Sequence, residues 1–96
     1  MTGTTSTGFE FAVDANAFDD MRVIDIMAAS MSPNASNIER ISGMTKIGDV
    51  VLGADQKERL YAHIAQNNGG RIPMAVYEAE LTEIMNASAG KSAEKN

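Results

Sequence analysis

Residues 73–86 read PMAVYEAELTEIMN. Proline suits a first helical position, because its ring fixes φ near the helical value and the N–H it lacks would be unpaired there anyway. At about 100° per residue, Met74, Tyr77, Leu81, Ile84 and Met85 fall on one contiguous stripe. Glu78, Glu80, Thr82 and Glu83 lie off it. The spacing predicts an amphipathic helix, the clearest in the chain, and it sets the class as mainly α.

Working back from that helix, Asn67-Asn68-Gly69-Gly70 is a strong turn signal. Before it, Leu60, Tyr61 and Ile64 form the apolar edge of a helix over about 55–66, with Asp55 and Arg59 four residues apart on its surface. Ala35, Ile38 and Ile41 recur at three-residue spacing and predict a short helix stopping near Gly43. Met44, Ile47, Val50 and Val51 continue the spacing as a second short piece, ended by Leu52-Gly53. Ser32-Pro33-Asn34 separates these from a helix over about 15–31, with Asp14 as its cap.

That first helix is apolar on more than one side. Phe18, Met21, Ile24, Met27, Ala28 and Met31 share one arc, while Val23 and Ile26 fall outside it. A surface helix shows a single apolar stripe. Two readings stay open: a central helix buried all round, or a helix offering a second face to another chain. Further upstream, the alternation of Phe9, Phe11 and Val13 predicts one short strand. Residues 1–8 are small and polar and read as a flexible lead-in; residues 87–96 lose the stripe and read as a loose tail. The expected fold is a small bundle of about four to five helices with one short N-terminal β-strand, in a single domain over 9–86.

Composition narrows the function classes. The 96 residues suffice for one domain with a modest core, so association is a natural way to bury more surface. Aromatic residues make up 5% and there is no Trp, but there are 7 Met, whose flexible thioethers suit both gap-filling and adaptable contact surfaces. Net charge is −5, and Lys and Arg are scattered without a basic run, which argues against nucleic acid and against anionic membranes as partners. The absence of Cys removes disulfides, thiolate metal sites and thiol nucleophiles. No apolar run approaches the ~20 residues of a membrane span, and no basic region followed by an apolar run opens the sequence; a cytoplasmic protein is the expectation.

The search for chemistry is brief. Asp14 to Asp25 fails as a calcium loop: Phe18 stands at an acceptor position, Asp19 at the required Gly, and Asp25 where a bidentate Glu belongs. His63 is the only candidate base; four residues after Arg59 on a helix, it reads as a local packing or capping residue. Asp19 and Asp20 are adjacent on the predicted helix and point about 100° apart, so they form no shared-proton pair. Gly69-Gly70 lies between helices without a phosphate-cradle pattern. The chain reads as a binding protein, with no enzyme activity, cofactor or metal.

Several short motifs occur in a telling order. Val51-Leu52-Gly53, then Gln56, Leu60 and His63, then Gly70-Arg71-Ile72-Pro73 opening an amphipathic helix, resemble the tail assembly chaperones of long-tailed bacteriophages, particularly those of Gram-positive hosts. Phe9–Val13 followed by Asp19-Asp20-Met21-Arg22-Val23-Ile24 resembles that family's short strand and first helix. The resemblance covers about residues 9–86 and departs around Met21, near which the family is expected to carry an aromatic, often Trp. It implies a homo-oligomeric protein of the host cell cytoplasm that coats the helical tape measure protein, keeps it soluble until tail tube protein polymerises around it, and is not retained in the virion. It also implies that a frameshifted, longer product accompanies the short one in many such phages.

Candidate protein-binding residues are Val23, Ile26, Met27, Val50 and Val51. The competing reading is another phage structural module, such as a head–tail connector component or an acidic mimic of DNA. A DNA mimic needs rows of carboxylates, whereas acids here alternate with Lys and Arg; a connector would be found in mature particles.

Overall fold

The structure, a computed structural model, describes residues 1–94 of the 96, with side-chain surroundings to Ala89. It is mainly helical, in the order β1 (Thr2–Thr4), β2 (Glu10–Ala12), a 3-10 turn (Ala17–Asp19), α1 (Met21–Ser30), α2 (Asn37–Asn67) and α3 (Met74–Glu94). Among the described residues three helices replace the expected four to five, and a two-stranded sheet replaces the single strand.

The lead-in is part of the fold. β1 pairs antiparallel with β2, placing Thr2 opposite Ala12, Gly3 opposite Phe11 and Thr4 opposite Glu10. Threonines are β-branched and favour strands. Gly3 belongs there because the Phe11 ring lies across it; a Cβ on Gly3 would stand 2.6 Å from Phe11 Cζ. The turn between the strands closes with the Gly8 amide on the Thr5 carbonyl at 3.0 Å.

α1 starts six residues later than expected. Asp14 accepts from the Asn16 amide at 2.8 Å and so stabilises a turn, not a helix start. Asp20 is the true cap, accepting from the Arg22 amide at 2.9 Å. The delay changes which face packs. Val23 is completely buried, whereas Met21 (62% exposed), Ile24 and Met31 (75%), all on the expected core arc, face outward.

α2 fuses three expected pieces. Ser36 and Glu39 form a reciprocal cap at its start, Ser36 Oγ accepting from the Glu39 amide and Glu39 Oε1 from the Ser36 amide. Gly43 does not stop the helix. It permits close approach: a Cβ there would lie 1.8 Å from Ser30 Oγ of α1. Gly48 does the same for Tyr77 of α3, at 2.1 Å from its Oη. The chain does break at Gly53, whose φ of 78° and ψ of 166° divide α2 into limbs over 37–52 and 54–67.

α3 extends through most of the stretch expected as a tail; residues 95–96 lie outside the described residues. The core joins Phe9, Phe11 and Val13 of the hairpin to Val23 of α1, Ile47, Val51, Leu52, Leu60 and Ile64 of α2, and Tyr77, Leu81 and Ile84 of α3. Each large aliphatic side chain so buried contributes roughly 1.5–3 kcal/mol. Among the described residues, no helix is long and apolar enough to cross a membrane.

Candidate protein-binding surface

Where α1, the first limb of α2 and α3 meet, their side chains do not close over one another. Phe18, Met27, Met31, Met44, Ile47, Leu81 and Met85 line an open groove of about 170 Å³, with Ser30 and Thr82 as its only polar lining. Among the described residues no ionisable group lines it. Met44 also walls a second hollow of about 170 Å³, with Ile41, Thr45, Tyr61, Ile72, Met74 and Tyr77. The two hollows thus share one flexible side chain as a wall. Met31 at the first hollow and Met74, Ile72 and Ile41 at the second, between 75% and 42% exposed, put apolar surface on a molecule of acidic net charge. A third hollow of about 410 Å³, between α1 and the start of α2, is mixed: Ile26, Ala29 and Ile38 alternate with Asp25, Glu39 and Lys46.

Polar contacts fix the elements around the groove. Tyr77 donates from Oη to the Met44 carbonyl at 2.9 Å, using a carbonyl of α2 to fix α3. Burial, then the neighbouring Tyr61 and Asp49, push the Tyr77 hydroxyl far above the ordinary phenol range, so it remains a donor. Tyr61 packs edge-on against Tyr77 with centroids 5.6 Å apart, and the Lys57 ammonium lies 5.5 Å from the Tyr61 ring while pairing with Asp49 at 2.7 Å. At the head of α1 the Arg22 guanidinium forks onto Asp20 and, with the Arg22 amide, holds that carboxyl down to about 2.

The five sequence candidates divide. Val23 and Val51 belong to the core and offer nothing to a partner in this fold. Ile26 is half-buried, lies against Gly43 and lines the mixed hollow. Val50 is half-buried against the core and lines none of the three hollows. Met27 alone lines the apolar groove. The structure thus does not bring the five together. The residues missed, Met31, Met44 and Met85 with Phe18, carried a signal in their type: four of the groove's walls are Met in a chain poor in aromatics.

His63 is not a free base. Its ring packs on Phe9, centroids 5.6 Å apart, and its Nε2 lies 3.0 Å from Thr7 Oγ1. Thr7 donates to Glu80, which is 2% exposed. A hydroxyl has one proton, so while Thr7 donates to Glu80 its contact with His63 is a hydrogen bond only in the tautomer protonated at Nε2, a nitrogen that Asn67 Nδ2 also approaches, at 3.4 Å. The Glu80 carboxyl thus engages the hydroxyl and not the imidazole, which is not the order of a nucleophile–base–acid triad. Beside it, Glu83 accepts from the Ser6 amide and hydroxyl, each at 2.8 Å. These contacts fasten the hairpin turn to α2 and α3, and they explain why Glu80, read from its spacing as a surface acid, is inside. Its Oε2 and Ser88 Oγ are buried without a partner among the described residues.

Comparison with known proteins returned no match: no family model, no curated protein and no solved structure is similar to this chain.

Proposed function

We propose that this protein is a tail assembly chaperone, which binds the phage tape measure protein and keeps it soluble in the host cell cytoplasm during tail assembly. The observation that carries this reading is the Met-lined apolar groove between α1, α2 and α3. A carrier of long, apolar helices needs an exposed apolar surface without fixed charge, on a molecule soluble enough to hold it in solution. Met side chains repack around varied partners at little cost, and a net charge of −5 supplies solubility. The order of motifs from Val51-Leu52-Gly53 to Gly70-Arg71-Ile72-Pro73 supports the particular client.

The test is titration of the purified chain with helical segments of the tape measure protein, read by calorimetry and by the amount of client left soluble after centrifugation. Binding should bury the groove. Met31→Glu and Met85→Glu should each weaken it at least about tenfold, equivalent to roughly 1.4 kcal/mol, with the far-ultraviolet dichroism unchanged. No binding to any segment, or equal binding by folded Glu variants, would refute the reading.

A further inference from the structure

The hairpin has two edges, and the fold treats them differently. Along the outer side of β2, the Gln56 side chain acts as a stand-in strand: its Oε1 accepts from the Ala12 amide at 2.6 Å and its Nε2 donates to the Ala12 carbonyl at 2.9 Å. Gln56 is itself buried and anchored to the Leu52 carbonyl at 3.0 Å. The outer side of β1 has no such cover. Met1 exchanges both of its backbone bonds with Val13, and Thr5 donates to the Phe9 carbonyl at 2.9 Å. Antiparallel pairing alternates, so Met1, Gly3 and Thr5 turn their backbone groups inward. Thr2 and Thr4 turn theirs outward, where among the described residues no backbone or side-chain partner meets them.

Edges left open in natural proteins are blunted by Lys, by Pro, by a bulge or by a covering element. Residues 2–4 are Thr-Gly-Thr, with none of these. The segment is also a near-palindrome about Gly3. Turned through a two-fold axis at Gly3, a second β1 lies antiparallel to the first with Thr2 opposite the other Thr4 and Gly3 opposite Gly3. In that register every outward N–H and C=O of Thr2 and Thr4 meets a complement. Threonine pairs of this kind are favourable neighbours across strands. The outer-face side chains at the joint, Thr2 and Thr4, are uncharged and exposed, so no like charges face each other directly.

We propose that the free edge of β1 is a self-association site, where two copies of this chain join their hairpins into one continuous four-stranded sheet centred on Gly3. The partner is a second copy because the edge complements itself in a single register, using all of its outward backbone groups. Three-residue strands make a small contact, so the association is concentration-dependent. The site lies on the hairpin and involves none of the residues that line the apolar groove.

Two experiments on the full chain test it. The mass in solution, by light scattering across a concentration series, should rise from one copy toward two. Thr4→Pro removes an outward N–H, a place where a sheet edge tolerates proline. It should hold the protein at one copy at every concentration while its helical dichroism stays that of the parent. The second experiment fixes the register. The chain has no cysteine of its own. Opposed residues of a hydrogen-bonded pair have Cα atoms about 5.5 Å apart, within disulfide range. Mixing Thr2→Cys with Thr4→Cys chains under mild oxidation should yield the mixed disulfide in excess over either symmetric one. A single copy at all concentrations, an unchanged mass for Thr4→Pro, or symmetric disulfides in equal yield would each overturn the proposal.

Discussion

Gly48→Ala sets two large effects against each other. Gly48 is inside a helix, where Ala is ordinarily the better residue by about 0.5–1 kcal/mol. Here the added Cβ would stand 2.1 Å from Tyr77 Oη and 3.3 Å from its Cζ. The hydroxyl must withdraw, and its 2.9 Å bond to the Met44 carbonyl goes with it, at about 1 kcal/mol. The ring must then shift in a core where it already packs on Tyr61, at about 1–3 kcal/mol for overpacking. The sum is a destabilisation of about 1–3 kcal/mol, or a fall in Tm of roughly 5–20 °C for a domain this size. Urea and thermal unfolding followed by circular dichroism give the value. A double-mutant cycle with Tyr77→Phe gives the cause. Removing the hydroxyl removes the 2.1 Å clash, so Gly48→Ala should cost much less on the Phe background, with a coupling above about 0.5 kcal/mol. If Gly48→Ala stabilises the parent, or the two changes simply add, Gly48 is not there to admit Tyr77 and the reasoning fails.

Two further outcomes follow from polar contacts. Gln56→Ala strips Ala12 of both side-chain hydrogen bonds and should lower stability by about 1–3 kcal/mol, with faster exchange of the Ala12 amide proton measured by NMR. Asp20 caps α1 with a carboxyl held at about 2, below its ordinary 3.8, so its contribution is complete above pH 3.8 and lost as pH falls through about 2. The Cα shifts of the first turn of α1 should move over that window in the parent and stay flat in Asp20→Asn, which caps without titrating; an identical acid response in both would exclude the cap as its source.

The sequence was most legible where periodicity and packing agree. In α3 the stripe of Tyr77, Leu81 and Ile84 is the buried face, and the Gly53 break falls where the motif Leu52-Gly53 placed it. It was least legible where short-range chemistry decides. The choice between Asp14 and Asp20 as cap moved the start of α1 and, with it, which residues pack. Gly43 read as a stop and Gly48 carried no signal, because their reason, a hydroxyl on another helix, is invisible from within the segment. Glu80 looked like a surface acid since nothing adjacent in sequence announces the Thr7 hydroxyl that receives it. The groove was half visible: its Met residues stood out by type, but their assembly needed three elements in space.

The interruption at Gly53 gives the molecule a joint. One limb of α2 stands with α1 and carries much of the groove's wall; the other is tied to the hairpin through Gln56 and His63. No atom lies within 4 Å of where a Cβ on Gly53 would sit, and Lys57 of the second limb reaches back across the break to the Thr45 carbonyl and to Asp49 of the first, bracing one limb on the other. Rotation at this residue would move Met44 and Ile47 relative to Leu81 and Met85 only if the Lys57 strut and the Tyr77 bond to the Met44 carbonyl gave way with it. The width of the groove is thereby tied to a residue about 14 Å along the helix from Met44, at about 1.5 Å per helical residue.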